Sequence, residues 1–195
     1  MRRTFGPGSA LLFTLSAVAC GGGEEAANPP TVESVVADPM MVFVADWLQA
    51  DSAAETVTLD VIAGKDASNN YWNFNGYANG NVTITVPEGY TVTINFSNND
   101  PNMAHSVGVT QRPTGPFSAT PTPTPAFPGG MSNNPTSITD ATKTGATETI
   151  TFTAATAGDY ALVCFVLGHA TGGMWINFRV TSRGAPGVEA PMAGL

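Results

Sequence analysis

The chain has 195 residues, of which 43% are hydrophobic and only 11% charged. That length suits one domain of ordinary size rather than two. Seven Lys+Arg stand against fifteen Asp+Glu, a formal net charge of −8. Such a balance offers no basic surface to a phosphate backbone, so nucleic acid is not an expected partner. Gly (21) and Pro (15) are plentiful, which favours an all-β domain with many turns over a helical one.

Arg2 and Arg3 precede an apolar run through Leu11, Leu12, Phe13 and Leu15 that ends Ala17-Val18-Ala19-Cys20. A positive start, a short apolar middle and a small-residue exit describe a secretory signal. The run is shorter than the roughly 20 residues that a bilayer-spanning helix needs. A cysteine directly after the small residues resembles a bacterial lipoprotein signal. On that reading residues 1–19 are removed and Cys20 is lipidated. The protein is then held outside the cytoplasmic membrane, in a periplasm or at the cell surface. The alternative is an ordinary cleaved signal with a cysteine near the cut. Residues 20–39 begin Gly21-Gly22-Gly23-Glu24-Glu25 and include Pro29-Pro30; they are expected to form a flexible tether.

Residues 40–183 read as the folded domain. Met40 to Gln49, with Val42, Phe43, Asp46 and Trp47, is expected to be a short amphipathic helical segment. Strands follow wherever apolar residues alternate between turn residues. They are Thr56–Ile62, Asn81–Val86, Tyr90–Phe96, Glu148–Phe152, Tyr160–Cys164 and Met174–Val180, with a shorter run at Ser106–Val109. Short strands at this spacing imply a Greek-key β-sandwich. Arg112 to Pro135 carries seven prolines and Gly129-Gly130, so it can be neither strand nor helix and reads as a long loop with a role of its own. Residues 184–195 are expected to be a disordered tail.

The chain has two cysteines and two histidines. With Cys20 lipidated, Cys164 has no disulfide partner in a compartment that oxidises free thiols. Alone it reads first as a buried core cysteine at the end of a strand. Its neighbours point further: His169 follows in Cys164-Phe165-Val166-Leu167-Gly168-His169, and Met174 follows in Ala170-Thr171-Gly172-Gly173-Met174. The glycines allow the loop to fold tightly enough for three side chains to converge. His105 opens an earlier strand. One thiolate, two imidazoles and a thioether form the ligand set of a mononuclear type 1 copper site. Structural zinc prefers more cysteines and catalytic zinc keeps an open position. The expected cofactor is therefore one copper ion, cycling between Cu(I) and Cu(II).

At these residues the chain resembles the cupredoxins, and more narrowly the sulfocyanin family. The resemblance extends to Asn73-Phe74-Asn75-Gly76-Tyr77, the Val86-Pro87-Glu88-Gly89 turn, His105-Ser106 and Gly168-His169-Ala170 with Gly173-Met174-Trp175. It covers roughly Asp46 to Ser182. It implies a cupredoxin sandwich, one copper ion held by His105, Cys164, His169 and Met174, and an electron shuttle in a membrane-associated respiratory chain. The partners would be a cytochrome or a terminal oxidase, with the membrane reached through the lipid anchor. In cupredoxins the loop histidine usually pierces an apolar surface patch. Here a solvent-near His169 ringed by Phe165, Val166, Leu167, Ala170 and Trp175 is expected. Ser106 is expected to pin the two ligand loops together. The family usually carries Pro where Leu167 stands, so Leu167 restores an N–H within reach of the Cys164 sulfur. Two other roles compete with the carrier: extracytoplasmic copper storage or delivery, and a copper enzyme. The enzyme would need an open coordination position or further histidines. The expectation is an electron carrier, not an enzyme.

Overall fold

The computed structural model describes residues 40–43 and 45–191. The expected signal sequence, Cys20 and the expected tether lie outside the described residues. Ten strands form two sheets. β1 (Met40–Phe43), β4 (Thr83–Pro87), β6 (Gly108–Gln111), β8 (Gly158–Val163), β9 (Trp175–Thr181) and β10 (Gly187–Pro191) make one sheet in the order β1-β10-β4-β9-β8-β6. β2 (Leu48–Asp51), β3 (Thr56–Ala63), β5 (Thr91–Asn98) and β7 (Thr147–Thr153) make the other in the order β2-β3-β5-β7. Two pairs, β3/β5 and β4/β9, are parallel and the rest antiparallel. The architecture is a two-sheet Greek-key β-sandwich.

Period-two alternation fixes which face each strand buries. Along β3 the buried residues are Val57, Leu59, Val61 and Ala63; along β5, Val92, Ile94 and Phe96; along β9, Ile176, Phe178 and Val180. These rows meet between the sheets, where Phe152 and Phe178 stand 6.1 Å apart. Phe74, from the loop after β3, is fully buried and meets Phe96 edge-on at 6.4 Å. Truncating Phe74 to alanine is expected to destabilise the fold by about 3–5 kcal/mol, the usual cost of an emptied aromatic site. Urea denaturation of the variant measures this, and a loss under 1 kcal/mol would show that the loop does not share the core.

Two expectations need correction here. Met40 to Gln49 is not helical. Its two ends are β1 and β2, which belong to different sheets, joined by a turn in which the Leu48 N–H donates to the Ala45 carbonyl at 2.9 Å. Two short strands on either side of a turn mimic a helical apolar spacing. The chain's one short helix-like turn, among the described residues, is Ser68–Tyr71, and its Asn69, Asn70 and Tyr71 have left-handed φ. Nor is 184–195 a tail throughout: Gly187–Pro191 forms β10, inserted between β1 and β4, with Val188 and Ala190 fully buried. The signal was Val188 and Ala190 alternating with Glu189, too short a run to stand out beside Gly and Pro. Residues 192–195 lie outside the described residues.

The Pro-rich segment is irregular, as its prolines require, yet it is tied down. Its second half runs beside β6, where the Val109 N–H donates to Gly130 O and the Ser132 N–H to Val107 O, both at 2.9 Å. Phe127 stacks on Phe152 at 5.4 Å. Its first half reaches the loop after β8: the Gly168 N–H donates to Ala119 O at 2.8 Å.

Candidate metal centre

Three donors from two segments meet at one end of the sandwich. Cys164 follows the last residue of β8, His169 lies in the β8–β9 loop, and His105 lies just before β6. The His105 Nδ1 is 3.0 Å from the His169 Nδ1 and 3.8 Å from the Cys164 Sγ; the His169 Nδ1 is 3.4 Å from that sulfur. The point equidistant from the corners of this triangle lies about 2 Å from each, the length of a metal–imidazole bond. Met174 is fully buried at the loop's end, where its carbonyl accepts the Cys164 N–H at 3.1 Å and its N–H donates to His169 O at 2.9 Å. The β8–β9 loop thereby closes on itself. Gly173 makes the closure possible, since its φ of +96° suits glycine and an added Cβ would collide with the Asn79 carboxamide.

Ser106 joins the two ligand segments. Its N–H donates to the Cys164 sulfur at 3.4 Å, its hydroxyl lies 3.6 Å from that sulfur, and the same oxygen accepts the Phe165 N–H at 2.9 Å. Burial pushes the Cys164 thiol up from its ordinary value, opposed by hydrogen bonds from the Ser106 and Val166 backbone and the Ser106 side chain. Leu167 takes a different place from the expected one. The backbone groups on the sulfur are those of Ser106 and Val166, and the Leu167 side chain is 57% exposed. The tight turn after Cys164 brings the second residue's N–H to sulfur and points the third outward.

Sequence reasoning missed Asp100. Its carboxylate is 1% exposed and its Oδ2 lies 2.8 Å from the His105 Nε2. Its other oxygen accepts the Asn102 N–H at 2.7 Å. With Nε2–H donating to Asp100, the His105 Nδ1 is left bare and turned toward the sulfur, the tautomer a metal requires. Gly64 sits against Asp100 so closely that an added Cβ would lie 2.7 Å from its nitrogen. An acid five residues before a ligand histidine, inside Asn98-Asn99-Asp100-Pro101, reads in sequence as ordinary turn chemistry.

His169 also departs from expectation: it is 1% exposed, not solvent-near. Phe165, Val166 and Ala170 are each 1% exposed as well, so they form no surface patch. Trp72 covers the imidazole, with ring centroids 4.3 Å apart and planes 23° from parallel. Burial, then repulsion from His105, holds His169 down at about 4, with Asp100 pulling the other way. Burial likewise lowers His105, with its Asp100 partner opposing. An unfolded imidazole takes up its proton near 6.5; the folded one resists until about 4. The metal-free protein is therefore expected to lose stability as pH falls from about 6.5 to about 4, and to lose none from this group above that window. Thermal midpoints at pH 7 and pH 4.5 test this. The drop should shrink in a His169→Asn variant, and an equal drop in both proteins contradicts the assignment.

A cysteine, two histidines and an adjacent methionine, all buried, fit copper better than the hard cations or structural zinc. A β-sandwich carrying this pocket is a mononuclear type 1 copper protein of the cupredoxin class. The chain matches the sulfocyanin (SoxE) domain over residues 44–189. It is 33% identical over 152 residues to the sulfocyanin of Sulfolobus acidocaldarius, across 73% of this chain and 70% of that one. It belongs to the sulfocyanin family of blue copper proteins. Solved structures similar to it include a copper protein rusticyanin (26% identity, 70% of this chain and 88% of that one, TM-score 0.44). Another is auracyanin from Roseiflexus castenholzii (24% identity, 64% and 96%, TM-score 0.44). The family assignment rests on the two sequence matches.

Proposed function

We propose that this protein is a one-electron shuttle of a respiratory chain, tethered outside the cytoplasmic membrane by lipid on Cys20, with a cytochrome or terminal oxidase as partner. The observation that carries the electron-transfer part is burial. His105, Cys164 and Met174 are 0% exposed and His169 1%. Among the described residues these donors are closed to solvent, so a substrate would have no route to a metal they held, whereas an electron needs none. Bound copper supplies a one-electron couple. The chain supplies donors that are tied together through Ser106, Asp100 and the Cys164–Met174 backbone pair. Ligands held this firmly shift little when the charge changes. The same burial disfavours storage or delivery, which requires a metal that leaves readily.

The copper-loaded full chain, mixed with a reduced c-type cytochrome or with excess Cu(I) chelator, separates these roles. Electron transfer is expected to finish long before copper is lost. Chelation that keeps pace with reduction would favour delivery. The N-terminal reading is tested separately: Cys20→Ala should move the protein expressed in a bacterium from the membrane to the soluble fraction.

A further inference from the structure

We infer that Trp72, rather than the ligand His169, is the face through which electrons enter and leave the copper centre; this rests on the carrier reading and refines it. A partner cannot touch His169, which is 1% exposed. Trp72 is only half-buried and lies flat on the imidazole at 4.3 Å. The His169 Nε2 and the Trp72 Nε1 are both buried, with no hydrogen-bond partner among the described residues. The contact is therefore ring face on ring face, with no polar link competing for its geometry. The other ligands offer no comparable exit: His105 is backed by buried Asp100, and Cys164 and Met174 are fully enclosed.

The surrounding chain is built to hold the indole there. Asn69, Asn70 and Tyr71 all adopt left-handed backbone, with φ of 46°, 57° and 63°. Such a run is unfavourable for residues with a Cβ, for tyrosine most of all, and persists only where the surroundings impose it. It delivers Trp72 onto the β8–β9 loop. The Asn69 Nδ2 donates to both the Trp72 carbonyl (2.7 Å) and the Gly172 carbonyl (3.0 Å), binding the turn to the ligand loop. Gly172 accepts the ring because it lacks a side chain; a Cβ there would lie 2.5 Å from the indole. Behind Trp72, fully buried Asn73 accepts the Lys65 and Gly76 N–H groups at 3.1 Å and donates to Ser68 O at 2.9 Å. The Asn73–Tyr77 motif is thus the footing of this indole.

The step is a single electron passing between bound copper and an external one-electron partner. The metal changes by one unit of charge and the partner by one in the opposite sense. No bond forms or breaks, no proton moves, and the indole bridges without itself being oxidised.

Trp72→Phe keeps a ring over His169; Trp72→Leu keeps apolar cover and removes the ring. Full chains carrying Cu(I) are mixed with a tris(phenanthroline)cobalt(III) oxidant, which takes one electron and leaves Cu(II) and cobalt(II), and rates are compared at matched driving force. With copper content and visible spectrum unchanged, Phe should retain most of the rate and Leu lose most of it. A Leu variant as fast as the parent, or faster, overturns the proposal. So does loss of copper binding in both variants, which would make Trp72 a structural lid. A second readout needs no metal. Diethyl pyrocarbonate should leave His169 of the metal-free parent unlabelled and label it in Trp72→Ala. A parent His169 that is labelled freely is exposed, and the proposal fails. If the parent binds copper yet exchanges no electron with any reagent, it is the carrier reading that fails.

Discussion

Replacing Cys164 with serine is expected to abolish the intense visible absorption of the copper-loaded protein and most of its hold on Cu(I), while leaving the sandwich folded. The sulfur is the one soft anionic donor in the pocket, and soft donors are what distinguish a copper site from one for harder ions. Two imidazoles and a thioether remain in the variant, enough to retain some Cu(II) but without a thiolate to give charge-transfer colour. The fold should tolerate the change, because the new hydroxyl meets the Ser106 N–H and Oγ that now approach the sulfur at 3.4 and 3.6 Å. Optical titration with Cu(II) and circular dichroism report the two halves separately. A variant that keeps its strong colour would place the thiolate outside the coordination sphere.

Removing the carboxylate behind His105 should have the next largest effect. Asp100→Ala leaves the His105 Nε2–H buried with no acceptor, at a cost of about 1–3 kcal/mol to the metal-free fold. It also frees the ring to turn or change tautomer, so Cu(II) affinity is expected to fall by about 10–100-fold, the usual effect of losing the partner of a metal-bound histidine. Asp100→Asn keeps an acceptor oxygen and drops the negative charge. It should recover much of the affinity but raise the reduction potential, because the lost charge favoured Cu(II). Each tenfold difference between the Cu(II) and Cu(I) affinities corresponds to about 59 mV for a one-electron couple. Competitive titration and voltammetry of both variants measure this. Unchanged affinity in Asp100→Ala would mean that the 2.8 Å contact does not orient the ligand.

What could be read from the sequence was what repeats locally. β3, β5 and β9 announce themselves by alternation because each has one face in the core and one outside it. The Cys164, His169 and Met174 spacing is visible because all three sit on one loop, and His105 stands out in a chain with one other histidine. What could not be read depends on which distant segments fold over one another. Met40–Gln49 supplies edge strands to two different sheets, and β10 is secured by its neighbours β1 and β4 rather than by its own pattern. Asp100 becomes a partner of His105 only when the Asn98–Met103 turn is closed. Trp72 lies far from His169 in the chain, and its left-handed approach through Asn69–Tyr71 has no sequence period to betray it. The burial of His169 follows from that approach, which is why a solvent-near histidine was the natural expectation from the ligand loop alone.

The visible and EPR spectra of the purified full chain, titrated with Cu(II) under oxidising conditions, test the central claim most directly. One equivalent of copper should develop an intense thiolate-to-copper band, together with an EPR signal from a single cupric ion in a distorted site. Protein that stays colourless and EPR-silent at one equivalent, or that shows only the spectrum of Cu(II) in a tetragonal nitrogen and oxygen environment, would contradict joint capture of the ion by His105, Cys164 and His169.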